Sequence, residues 1–148
     1  MRRENGLIRV KTKRPSPARY ALLWDGRGRL PLPGTALTFS GRLSNNRGSV
    51  SLSFDDRTAC FCDADRLRFP LLVRSRQEGD RYRPMGAPGK KKLKEILRAK
   101  KIPLSDRNTF PVFCSEGRIV WMPGLSVAEE FRVSQDTKTI YTISKKMS

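Results

Sequence analysis

The 148-residue chain has no histidine, so it lacks the side chain that most often serves as a general base near neutral pH or as partner to a nucleophilic serine. Cysteine is nearly as scarce, with only Cys60, Cys62 and Cys114. Without histidine, three thiols cannot complete a four-ligand zinc site from the usual Cys/His set. An odd count also argues against a secreted disulfide framework and points to reduced, partly buried thiols. No apolar run approaches the roughly 20 residues of a membrane-spanning helix. Met1-Arg2-Arg3 is not followed by the apolar stretch of a signal peptide. The expectation is a soluble, cytoplasmic protein of one domain's length.

Negative charge is the remaining shortage. Fourteen acidic residues face 31 basic ones, for a net charge of +17 and a sequence pI near 10.8. Such an imbalance speaks about partners rather than fold, and the partner it predicts is a polyanion. Two segments hold most of the excess: residues 1–19 carry net +6, and residues 68–107 carry net +9.

Residues 1–19 end in "RPSPAR", where two prolines discourage regular structure; this stretch reads as a basic arm or severed linker ahead of a domain over 20–146. Strand signals follow in "RYALLW", "ALTFSGRL" and "SVSLSFD", the last two forming a hairpin across "SNNRG". In "FPLLVRSR" a period of two puts Leu72, Arg74 and Arg76 on one face, and Leu71, Val73 and Ser75 on the other. The main helix falls at 90–100, where Leu93, Ile96 and Leu97 form an apolar stripe opposite Lys91, Lys94 and Arg98. "KIP" ends it. "PVFC" and "RIVWM" form a second hairpin, and "FRV" and "TIYTIS" supply two further strands. Seven to nine strands with one main helix give an α+β class: a β-rich, sandwich-like domain with the helix packed on the sheet.

The stretch "GDRYRPMGAPGKKKLKEIL" resembles a phosphate loop only superficially. A nucleotide-hydrolysing loop needs G-x-x-x-x-G-K-[ST], whereas here Ala87 and Pro88 alone separate Gly86 from Gly89, and Lys90 is followed by Lys91. The carboxylates of Glu78, Asp80, Glu95 and Asp106 lie among cations and read as surface pairs. No grouping reads as a catalytic centre, a metal site or a cofactor site. A nucleic-acid grip asks for less: phosphate-reaching cations, glycine-freed amides and a helix N-terminus. The candidate contacts are Arg74, Arg76, Arg81, Arg83, Lys90, Lys91, Lys92, Lys94 and Arg98. Tyr82, between two arginines, offers stacking on a base, although packing is the commoner role for such a ring. A membrane surface fits poorly, because the helix has a narrow apolar stripe and no Trp or Phe anchor.

The run "FCDADRLRFPLLVRSRQEGDRYRPMGAPGKKKLKEILRAKKIPLSDR", from Phe61 to Arg107, followed by "FPVFCSEGRIVWMPGL" resembles the C-terminal domain of bacterial tRNA(Ile)-lysidine synthetases. It matches V-R-x-R-x-x-G-D-R-x-x-P-x-G from Val73 to Gly86, G-x-K-K-L-K from Gly89 to Lys94, K-[IV]-P-x-x-x-R from Lys101 to Arg107, and W-x-x-G at Trp121 and Gly124. The resemblance covers roughly residues 20–143. Ser126 departs from it, standing where relatives often carry a basic residue. The resemblance implies a fold shared with a domain of the phenylalanyl-tRNA synthetase β-chain, and a role in holding isoleucine tRNA, chiefly by its acceptor stem. It further implies a parent ligase whose catalytic N-terminal domain uses ATP with magnesium to attach lysine to the wobble cytidine of a CAU anticodon. The other reading is a free-standing RNA-binding or ribosome-associated module. The sequence leaves the number of subunits open, a homodimer included.

Overall fold

The structure, a computed structural model, describes residues 20–46 and 59–147. The basic arm and the second strand of the first expected hairpin lie outside the described residues. In chain order the first five strands are β1 (Ala21–Trp24), β2 (Gly28–Pro31), β3 (Leu37–Asn45), β4 (Ala59–Asp63) and β5 (Leu71–Arg74). A short ribbon of β6 (Arg81–Tyr82) and β7 (Lys91–Lys92) leads into two helices, α1 (Leu93–Ala99) and α2 (Leu104–Thr109). The hairpin of β8 (Val112–Ser115) and β9 (Arg118–Trp121) and the long β10 (Thr139–Met147) complete the fold.

Two four-stranded antiparallel sheets result, ordered β1-β5-β8-β9 and β2-β3-β10-β4. They face each other through large rings. Phe39 of β3 meets Phe113 of β8 edge-on at 5.2 Å and Trp24 of β1 lies 6.4 Å from Tyr141 of β10, while within the first sheet Phe113 stacks on Trp121 at 5.7 Å. Aromatic pairs in such tilted and offset geometries add stability beyond simple area burial. The Tyr141 hydroxyl donates to the Gly26 carbonyl at 2.7 Å. Gly41 makes room for that bond, since a Cβ there would overlap both the Tyr141 hydroxyl and the Gly26 carbonyl oxygen.

β10 holds the second sheet together, pairing along nine residues with β3 and along five with β4. In the first sheet, Leu71 and Val73 are fully buried while Leu72 and Arg74 are only partly buried, as the alternation in "PLLVR" predicts. The β8–β9 hairpin turns on Glu116 and Gly117, both with positive φ, the geometry that matches strand twist in two-residue hairpins. α1 directs Leu93, Ile96 and Leu97 into the buried cluster that also holds Tyr82 and Ile102. Its end is set locally. Lys101 adopts a left-handed φ of 56° and the Ile102 amide reaches back to the Leu97 carbonyl at 3.1 Å, closing the helix just before Pro103.

Three expectations are corrected. α1 begins at Leu93 rather than Lys90 because Lys91 and Lys92 pair as a strand with Arg81 and Tyr82. "FRV" is not a strand: Glu129–Phe131 form a 3-10 turn, since the amides of Ala128 and Glu129 are drawn to the carbonyls of Val120 and Arg83 at 2.8 Å each. A second short helix, α2, exists where no apolar stripe announced one, and it buries no residue.

Candidate nucleic-acid interface

The motif around Arg74 is organised by one carboxylate. Asp80 accepts both terminal nitrogens of Arg74 at 3.0 Å and the Gln77 amide at 2.8 Å. Its own carbonyl accepts the Leu93 amide at 2.9 Å. Gly79, at φ +88°, supplies the left-handed residue that lets the chain double back. The two side chains are only 11% and 9% exposed, and Arg74 also donates to the Ser75 carbonyl at 3.1 Å. Burial works against the guanidinium charge, yet the bonds to Asp80 keep its pKa above the ordinary arginine value. The expectation that Arg74 is a solvent-facing charge is therefore corrected. Arg76 lies past the end of β5 and is half-buried, its Nε enclosed without a partner.

The glycine loop is closed as well. The amides of Met85, Gly86 and Ala87 donate to the Val127 carbonyl, the Glu129 carboxylate and the Pro84 carbonyl at 2.9, 2.8 and 2.9 Å. Arg83 Nε donates to the Ala87 carbonyl at 2.6 Å. These are the amides that glycine was expected to free for phosphate. Pro84 and Ala128 form a bridge beside them, so residues 84–87 are fastened to 127–129 and act as a structural turn. Nor does α1 offer an anion site at its start: it has seven residues, and its first amide is already taken by Asp80. Tyr82 is buried, with its hydroxyl on the Ser126 carbonyl at 2.9 Å. Burial pushes its pKa up to about 12, and the ring packs rather than stacks. The other two motifs are likewise fastenings: Arg107 Nε donates to the Ile102 carbonyl at 2.7 Å, and Trp121 Nε1 to the Leu125 carbonyl at 2.8 Å.

What remains free is concentrated. Arg81, Lys90, Lys91, Lys92, Lys94 and Arg98 are exposed, and none makes an ion pair or side-chain hydrogen bond among the described residues. Arg81 and Lys92 stand directly opposite each other across the β6–β7 ribbon. Like charges in that position repel and destabilise the pairing. Beside the ribbon, Arg81, Arg83, Lys90 and Arg118 line an open cleft of about 490 Å³. A second cleft of about 550 Å³ shares Arg83 and Lys90 and adds Arg66 and Arg132.

Arg66, Arg118 and Arg132 escaped the sequence reading. No local pattern marks them, because the 127–132 segment is carried to this surface by its bonds to residues 83–86. Each has a carboxylate partner: Asp63 at 3.7 Å, Glu130 at 2.9 Å and Glu129 at 2.6 Å. They temper the charge next to the bare ribbon. The three thiols are free and buried. Burial raises the pKa of Cys60 and Cys114, which keeps them protonated and unreactive. The arrangement therefore offers an anion exposed charge and no nucleophile or metal-ligating cluster among the described residues.

Comparison with known proteins gives a consistent result. The model of the TilS substrate C-terminal domain family matches residues 71–144. The tRNA(Ile)-lysidine synthase of Clostridium acetobutylicum is 36% identical over 102 residues, covering 69% of this chain and 22% of that protein. That of Bacillus licheniformis is 35% identical over 125 residues, covering 82% and 25%. The chain thus spans about a quarter of the length of the relatives it matches. A solved structure described as the TILS C-terminal domain superposes with a TM-score of 0.74 at 26% identity, covering 88% of this chain and 98% of that one. An N-terminal fragment of the phenylalanyl-tRNA synthetase β-subunit from Pyrococcus horikoshii shares the fold, with a TM-score of 0.53 at 23% identity over 61% of this chain and 28% of that one.

Proposed function

The chain belongs to the TilS substrate C-terminal domain family, and from that membership we propose that it holds isoleucine tRNA for a tRNA(Ile)-lysidine synthase. The grip is the β6–β7 ribbon with the exposed face of α1: Arg81, Lys90, Lys91, Lys92, Lys94 and Arg98, with Arg83 at the edge. Arg74 and Arg76 stand behind it, and Arg74 acts by fixing the turn that presents Arg81. The observation that carries this reading is the pair Arg81–Lys92, two uncompensated cations set face to face on a two-stranded ribbon. A ribbon that only had to fold would gain by placing a carboxylate at one of those positions. Phosphate oxygens lying across the ribbon would satisfy both.

Such contacts position a nucleic acid without reading its sequence, which suits a domain that holds the acceptor stem while chemistry proceeds at the anticodon. The ligation of lysine to the wobble cytidine, with its ATP and magnesium, belongs to the catalytic N-terminal domain in this proposal. Those groups do not fit here: the loop amides are engaged internally, and no cluster of metal-ligating side chains occurs among the described residues. A tRNA substrate puts the working place of the protein in the cytoplasm.

The test is a variant with Lys91, Lys92 and Lys94 all changed to glutamine, titrated with tRNA by fluorescence anisotropy over a range of KCl concentrations. Each lost phosphate contact should reduce the slope of log K against log salt by roughly 0.7 to 0.9, about 2 to 3 for the three. Melting should stay within about 2 °C of the parent, since exposed unpaired lysines contribute little to folding. Equal affinity and an equal slope would show that the ribbon is only a soluble surface.

A further inference from the structure

A second cavity opens beside α2, where Tyr20 is bonded to Ser75 just past the end of β5. Between the sheets, where Tyr20 precedes β1 and Phe110 precedes β8, the core opens into this cavity of about 590 Å³. That size falls in the range of about 300–1,000 Å³ typical of small-molecule sites. Leu37 of β3 and the two rings give it apolar walls, and α2 forms one lip with Asp106 and Asn108. Lys145 of β10 enters from the opposite sheet and is held 4.5 Å above the Phe110 ring.

The hydroxyls of Thr35 and Thr109 are already bonded to neighbouring backbone, but three other polar groups are not. Among the described residues the Asp106 carboxylate has no ion pair and the Asn108 amide no hydrogen bond. The Tyr20 hydroxyl is enclosed without a partner. Buried polar groups in folded proteins are nearly always satisfied, so an orphan beside a cavity calls for a ligand group. Burial raises the Tyr20 pKa to about 12, which keeps this hydroxyl a donor at neutral pH. The cavity also holds one cation and one anion that do not neutralise each other. Flat aromatic walls, an acceptor for an amino group and a cation for an acidic tail together describe one ligand class.

We propose that this cavity binds an unpaired nucleotide, its amino-bearing base against the aromatic walls and Asp106, its phosphate at Lys145. Stacking on aromatic rings is tolerant of base identity, and Asp106 favours adenine or cytosine, whose exocyclic amines donate. Two sources share this chemistry: a single-stranded RNA end and a free mononucleotide. The inference rests on the RNA-binding reading only for the first of these.

The experiment compares two RNA hairpins with the same stem, one blunt and one with a four-nucleotide 3′ extension of A and C. AMP and CMP are titrated in parallel and followed by NMR at the Tyr20 and Phe110 rings. An RNA end as the source predicts at least a 5-fold tighter complex with the extended hairpin. That advantage disappears in the double variant Asp106→Asn with Asn108→Ala, which leaves the blunt hairpin's affinity and the melting temperature unchanged. Shifts at both rings with AMP or CMP, lost in the same variant and without any benefit from the extension, support the site with a free nucleotide as its source. Equal binding of the two hairpins with no ring shifts overturns the proposal, as does an extension benefit that survives in the variant. The triple glutamine variant of the ribbon weakens both hairpins alike, so failure of the grip and failure of the cavity are told apart.

Discussion

Replacing Arg74 by alanine should show first as a loss of folding stability and only then as an effect on RNA. The guanidinium and the Asp80 carboxylate face each other through two bonds of 3.0 Å and are about a tenth exposed. After the change, Asp80 keeps only the Gln77 amide at 2.8 Å and remains a buried charge with no counter-ion. Breaking a buried pair from one side costs about 3–5 kcal/mol, a large part of the roughly 5–15 kcal/mol that a domain has in total. At this length each kcal/mol corresponds to about 3 °C in melting temperature, so Arg74→Ala should melt some 10–15 °C lower. Circular dichroism melts of Arg74→Ala, Asp80→Ala and the double variant give the coupling directly, and the double variant should be more stable than the sum of the singles predicts. If Arg74→Ala melts within a degree of the parent while losing tRNA affinity, the ion pair contributes nothing and the arginine faces the ligand instead.

Leu97 is fully buried on the inner side of α1, and Leu97→Ala should lower stability by about 2–5 kcal/mol in urea denaturation. Gly41→Ala should abolish the Tyr141–Gly26 bond, because the added methyl collides with both of its atoms; an unchanged denaturation midpoint and tyrosine environment would contradict this. Glu129 has its pKa lowered by the Gly86 amide and by Arg132. A depressed carboxylate stabilises what it holds above its unfolded pKa and lets go as pH falls through the folded one. Protection of the Gly86 amide from hydrogen exchange should therefore be full at neutral pH and fade below the ordinary glutamate range; in Glu129→Ala it should be weak throughout.

The elements that sequence reveals here are those whose cause is local. The stripe Leu93, Ile96, Leu97 and the apolar run through Trp121 mark a helix and a strand because their burial follows chain periodicity. The start of α1 was hidden, since nothing near Lys91 and Lys92 says that Tyr82 and Arg81, about ten residues earlier, will pair with them. α2 was hidden because "LSDRNT" buries nothing and so has no apolar pattern. The glycine loop misled for a related reason: the amides of Met85 and Gly86 are used by a carbonyl and a carboxylate some forty residues on. Of the candidate contacts, exposure could be read where helix periodicity governs, at Lys94 and Arg98. It could not be read at Arg74, whose partner Asp80 is close in sequence but whose burial is decided by the packing of the sheet.

The central place of β10 also has a consequence in time. Ribosomes deliver a chain from its N-terminus, and β3 and β4 emerge long before residues 139–147, the strand both are waiting for. Until then the nascent polypeptide exposes two unpaired strand edges, which are templates for pairing with the wrong chain. Folding of the second sheet is thus a late, long-range event, slow by the rule that distant contacts form last. A nascent chain stalled at residue 138 should be held by chaperones or aggregate, whereas release of the following nine residues should suffice to rescue it.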